Sequence, residues 1–109
     1  MSPERWAALP YPRQILTIAA DMHRASSLFG PGDGHRLRRT YESVLANVDL
    51  TVPCSRAGRL RELLRFREVI ASLWVATDPD RAEHRRALYC LLGFTAESFR
   101  QAPYLVPEL

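Results

Sequence analysis

Apolar residues recur at intervals of three and four positions along most of this 109-residue chain, and this spacing constrains the fold more than any other feature. The stretch from Gly34 to Val52 shows it most cleanly, with Arg36 and Arg39 on the side opposite the apolar one. No alternation of apolar and polar residues is long enough to require a strand. The pattern therefore predicts an all-α fold. The apolar side of this stretch carries Leu37, Tyr41, Val44, Leu45 and Val48.

Breaks in the spacing divide the chain into four main helices and a short fifth. Pro53 closes the second helix, and Ser55 is placed to cap the third. Asp78 and Pro79 supply a cap and a first position for the fourth, while Thr95 caps the fifth. Short connections make consecutive helices antiparallel neighbours. The predicted helices span about 12–29, 34–52, 56–77, 79–93 and 96–101.

The chain length fits one domain, residues 1–109, with a single hydrophobic core. The terminal segments 1–11 and 102–109 are apolar and bounded by prolines, so we expect them to lie extended against the helices. The predicted architecture is a four-helix antiparallel up-down bundle with a short fifth C-terminal helix and extended apolar termini.

The charge distribution points to no charged partner. All 15 Lys and Arg positions are arginine, the 12 carboxylates are interleaved with them, and the net charge is only +3. A nucleic-acid partner is permitted but not indicated. No window reaches eighteen consecutive apolar residues, and the N-terminus lacks a signal-peptide pattern, which predicts a cytoplasmic protein without a membrane partner.

The segment GPGDGHRLRR, residues 30–39, resembles a phosphate-binding loop only superficially. Such loops follow a strand, whereas residues 25–29 continue a helical pattern. Gly30 suits the end of a helix and Asp33 the cap of the next. We therefore predict a turn between two helices.

The sequence offers no recognisable catalytic or metal motif. Cys54 and Cys90 form no CxxC pair and are predicted to be free thiols, because an antiparallel hairpin holds them apart. Asp80 and His84 could share a metal at i and i+4, but they are better interpreted as a capping acid beside a solvated histidine. We predict no metal, no cofactor and a non-enzymatic protein.

The segment Leu88–Ala102 has the order of a helix-turn-helix, with Gly93 at the turn and Thr95 as the second cap. Against DNA binding, the bulky Tyr89 occupies a close-packing position, and Pro103 leaves the second helix under two turns long. A packing helix explains the same residues.

Arg67 falls within the apolar face of the third helix on a helical wheel. A buried cation needs a partner, so we predict a structural ion pair at the core edge. The alternative is a ligand-binding arginine in a cleft for an anion. The candidate carboxylates are Asp21, Glu42 and Asp49.

Residues 69–76 are apolar on nearly every side, so two neighbours must cover them. Either the termini or a second chain does so, and we favour a homodimer. The overall prediction is a self-associating interaction module. The alternatives are a small DNA-binding regulator and a bundle that binds an anionic ligand or a metal. The predicted interface comprises Val69, Leu73, Trp74, Val75 and Ala76.

Overall fold

A computed structural model describes residues 1–107, and within that range every regular element is a helix. The predicted all-α fold is confirmed. The elements are α1 (Pro3–Ala7), α2 (Tyr11–Ala25), α3 (Gly34–Thr51), a 3₁₀ turn (Val52–Cys54), α4 (Ala57–Val75), α5 (Arg81–Leu92), α6 (Ala96–Phe99) and α7 (Ala102–Leu105).

The four long helices, α2 to α5, pack as a closed ring in which each contacts the next and α5 returns to α2. Two side-chain contacts establish that α3 and α4 are antiparallel. Asp49, late on α3, bonds Arg67, whereas Glu42, early on α3, bonds Trp74 further along α4. Each of the four helices directs buried apolar residues into one core. Fully buried examples include Ile15, Ile18 and Met22 on α2, Tyr41 and Val44 on α3, Leu63 and Ile70 on α4, and Leu88, Leu91 and Leu92 on α5.

The terminal segments differ from the prediction, since each contains a short helix. Ser2 caps α1 by accepting from the backbone N–H of Arg5 at 3.2 Å, and Pro3 has the backbone angle that a first turn requires. Trp6 is buried, and its indole Nε1 donates to Thr51 Oγ1 at 3.0 Å. At the other end, residues 102–105 form α7; positions 108 and 109 lie outside the described residues.

Two predicted helix caps are replaced by neighbouring residues. α4 begins at Ala57 with Arg56 in the cap position, and the Ser55 hydroxyl donates to the Thr51 carbonyl at 2.9 Å. α5 begins at Arg81, where the Asp80 side chain accepts from the Ala82 N–H at 2.9 Å. Asp78 and Pro79 therefore lie in the connection between α4 and α5.

The turn predicted at GPGDGHRLRR is confirmed, although α2 ends at Ala25, earlier than expected. Residues 30–33 reverse the chain, and Gly32 has φ of 85°, a left-handed conformation that glycine adopts without strain. Asp33 occupies the cap position of α3, but its side chain makes no capping hydrogen bond to the first turn of that helix.

Candidate functional site

The most unusual polar group is His84, which α5 places in the core with no exposed surface. Its Nδ1 lies 2.8 Å from the Tyr41 hydroxyl on α3. Its Nε2 lies 2.9 Å from the Met22 carbonyl and 3.1 Å from Ser26 Oγ. The ring of Phe29 packs edge-on against the imidazole, with the two ring centroids 5.1 Å apart. The interpretation of His84 as a solvated histidine was wrong, although Asp80 does cap the helix.

The neighbours of His84 determine its tautomer. The Met22 carbonyl can only accept, so Nε2 carries the proton and donates to it. Nδ1 is then the acceptor, and the Tyr41 hydroxyl donates to it. Both ring nitrogens are therefore satisfied with the imidazole neutral.

Burial sets the protonation of both partners in this cluster. It lowers the pKa of His84 from 6.5 to about 4; the Met22 carbonyl opposes this shift, and the charges of Arg81 and Arg85 add to it. Burial also raises the pKa of Tyr41, as does the charge of Glu83. The neutral imidazole and the neutral phenol are thus the stable forms near neutral pH.

The proximity of Ser26 to His84 suggests a catalytic pair, but the tautomer opposes one. A general base must present a free lone pair to the serine hydroxyl. Here Nε2 is protonated, and Ser26 Oγ itself donates to the Met22 carbonyl at 3.1 Å. In this state the arrangement holds three helices together and does not activate a nucleophile.

Arg67 makes the predicted ion pair but is not buried. Its Nε donates to Asp49 Oδ1 at 2.7 Å and its Nη2 to Oδ2 at 3.2 Å, while 39% of its side-chain surface stays exposed. The hydrogen bond with Asp49 and the charge of that carboxylate raise the pKa of Arg67. The helical wheel was therefore wrong about its burial, and its function as an anion ligand stays a prediction.

The predicted interface residues divide between the interior and the surface. Leu73 belongs to the chain's own core, which corrects its assignment to an interface with a second copy. Trp74 and Ala76 are half-buried, and the Trp74 indole donates to Glu42 at 3.2 Å. Val75 keeps 67% of its surface exposed. Val69 lines a groove of about 400 Å³ between α4 and α5.

The side of α4 that points away from the core forms a regular stripe, which we call the outer face of α4. Its positions follow one another at alternating steps of four and three residues, the spacing of a coiled-coil seam. Ala71 is half-buried and the others are exposed; Leu64, a large apolar residue, keeps 43% of its surface in contact with water. The outer face comprises Ala57, Arg61, Leu64, Glu68, Ala71 and Val75.

DNA binding by a helix-turn-helix requires a long second helix, and metal binding requires a cluster of ligand side chains. The second helix of the helix-turn-helix-like segment is α6, whose four residues cannot extend along a major groove. Among residues 1–107, no three His, Cys, Asp or Glu side chains converge as metal ligands.

None of the described helices is both long and apolar enough to span a membrane. Cys54 and Cys90 are free thiols, as predicted.

Comparison with protein-family models, with curated proteins and with solved structures gave no match to this chain.

Proposed function

We propose that this chain is a non-enzymatic helical-bundle module that self-associates through the outer face of α4. The observation that carries the proposal is the exposure of Leu64 and Val75 on one side of a helix whose opposite side is fully packed. Removing such apolar surface from water is favourable by about 25 cal/mol per Å². A second copy presents the same stripe and can cover it.

The anchoring of α4 supports this function. Leu63 and Ile70 are fully buried, and Arg67 and Trp74 bond side chains of α3. A helix held on its inner and α3-facing sides presents its outer face in a fixed conformation. Association then causes little further loss of backbone conformational entropy.

We also propose a cytoplasmic location. The thiols of Cys54 and Cys90 are unpaired, as is usual for proteins of a reducing compartment.

Matched glutamate substitutions at two exposed apolar residues test the self-association. Leu64 lies on the outer face of α4, whereas Tyr104, exposed at 75%, lies on α7. Light scattering after size exclusion at about 10 μM should give a two-chain mass for the wild type and Tyr104→Glu, and a one-chain mass for Leu64→Glu. Circular dichroism establishes that all three are folded. A one-chain mass for the wild type, or a two-chain mass for Leu64→Glu, would overturn the proposal.

A further inference from the structure

The charged residues of the outer face of α4 distinguish between the two ways in which a second copy can lie along it. Arg61 and Glu68 are both exposed and lie two helical turns apart on this face. In a parallel, in-register pair, every residue faces its own counterpart. Arg61 would then face Arg61 of the partner subunit, and Glu68 would face Glu68 of the partner subunit, so like charges would repel at both positions.

An antiparallel pair reverses the order on one helix and brings opposite charges together. With the overlap at its longest, Ala57 lies opposite Val75 of the partner subunit, and Leu64 lies opposite Glu68 of the partner subunit. Arg61 then lies one layer from Glu68 of the partner subunit, within reach of a salt bridge. The small Ala57 and Ala71 face longer side chains, as interdigitating seams require.

We infer that two copies of this chain pair antiparallel along α4, with a two-fold axis that crosses the helix midway between Leu64 and Glu68. The inference rests on the proposed self-association and specifies its orientation and register. A two-fold axis makes the interface closed, because each copy uses the same surface. The assembly therefore stops at two chains.

Charge reversal tests the pairing of Arg61 with Glu68 of the partner subunit. Both residues are exposed, so their substitution leaves the core of the bundle intact. Arg61→Glu replaces two attractions per dimer with two repulsions and should raise the dimer dissociation constant about tenfold. The double variant Arg61→Glu/Glu68→Arg restores the opposite charges and should return the constant to within about twofold of the wild type. A double variant as weak as Arg61→Glu would overturn the pairing.

Disulfide trapping tests the orientation, in a background with Cys54→Ser and Cys90→Ser. Positions 57 and 75 lie about 27 Å apart along one helix, while a disulfide needs Cα atoms within about 7 Å. An antiparallel pair therefore predicts no cross-link in Ala57→Cys alone or Val75→Cys alone, and a cross-linked dimer when the two are mixed and oxidised.

The outcomes of the trapping experiment separate the inference from the function on which it rests. A two-chain mass by light scattering, with cross-links in each single variant but none specific to the mixture, would overturn the antiparallel orientation and leave self-association standing. A one-chain mass for the uncross-linked wild type would overturn both. The mixture-specific cross-link, accompanied by a two-chain mass, is the result we expect.

Discussion

The Tyr41 hydroxyl lies 2.8 Å from Nδ1 of His84, so one hydrogen bond joins α3 and α5 across the bundle. The other ring nitrogen, Nε2, donates to the Met22 carbonyl on α2. The imidazole therefore connects three of the four long helices from inside the core. Such a network stabilises one arrangement of the helices only while every polar atom in it keeps a partner.

Removing the phenol hydroxyl should destabilise the bundle. Tyr41→Phe leaves Nδ1 of His84 buried without a donor, and we expect a loss of about 1–3 kcal/mol in the free energy of unfolding. Tyr104→Phe is the matched control, because Tyr104 is three-quarters exposed. Urea denaturation measures both. Equal losses in the two variants would mean that the hydrogen bond to His84 contributes nothing net.

The free energy of unfolding should decrease as the pH is lowered, because His84 is buried in its neutral form. Its pKa is about 4 in the folded protein and 6.5 when exposed, so between these values the unfolded chain binds more protons. The contribution of neutral His84 to the free energy of unfolding is fully present above pH 6.5. It is lost as the pH falls, by about 3 kcal/mol between pH 7 and pH 4.

Denaturation curves at several pH values, compared with those of His84→Gln and His35→Gln, check this dependence. The first variant removes the buried imidazole and should flatten the change in this pH range. The second removes an exposed histidine and should keep it. If all three proteins lost the same stability on acidification, carboxylates and not His84 would be responsible.

Arg67→Ala should cost little stability, since the ion pair with Asp49 is exposed to solvent. Exposed pairs contribute about 0.2–1 kcal/mol, and the two hydrogen bonds between Arg67 and Asp49 favour the upper end. A double-mutant cycle with Asp49→Ala isolates the coupling, and Arg65→Ala, whose pair with Glu62 spans 3.6 Å, is the weaker comparison. A loss of about 3–5 kcal/mol for Arg67→Ala would indicate a buried charge.

The N-terminal helix should contribute to stability through Trp6. Trp6→Ala removes a fully packed indole and its hydrogen bond to Thr51, and losses of about 3–5 kcal/mol are typical of such changes. Thr51→Val removes the hydroxyl that accepts from Trp6 and donates to the Asn47 carbonyl, and it should cost about 1–3 kcal/mol. Thermal unfolding ranks the two variants. A Trp6→Ala protein as stable as the wild type would show that α1 is detached in solution.

The positions of the long helices could be predicted from sequence, because their apolar spacing and their stop signals agree. Gly34 opens α3 and Thr95 caps α6 as expected. The termini could not be predicted, since prolines suit both extended segments and first helical turns. At the N-terminus a local signal was present, Ser2 before Pro3, and the hydrogen bond from Trp6 to Thr51, 45 positions away, holds the short helix against α3.

The buried polar cluster was missed because its partners are distant in sequence, with 43 positions between Tyr41 and His84. One local signal was present: His84, Leu88 and Leu91 recur at steps of four and three, which places the imidazole on the apolar side of α5. The same reasoning failed for Arg67. A helical wheel gives the direction of a side chain but not how close the neighbouring helix lies. At Arg67, α3 covers only part of the side chain, and 39% of its surface stays exposed to solvent.

The mass of the unmodified protein as a function of concentration tests the central claim most directly. One chain weighs 12.4 kDa. Sedimentation equilibrium from about 1 to 100 μM should show a mass that rises towards two chains and no further, because a two-fold interface is closed. A mass that stays at one chain throughout would contradict self-association through the outer face of α4, and a mass that rises beyond two chains would contradict the closed antiparallel pair.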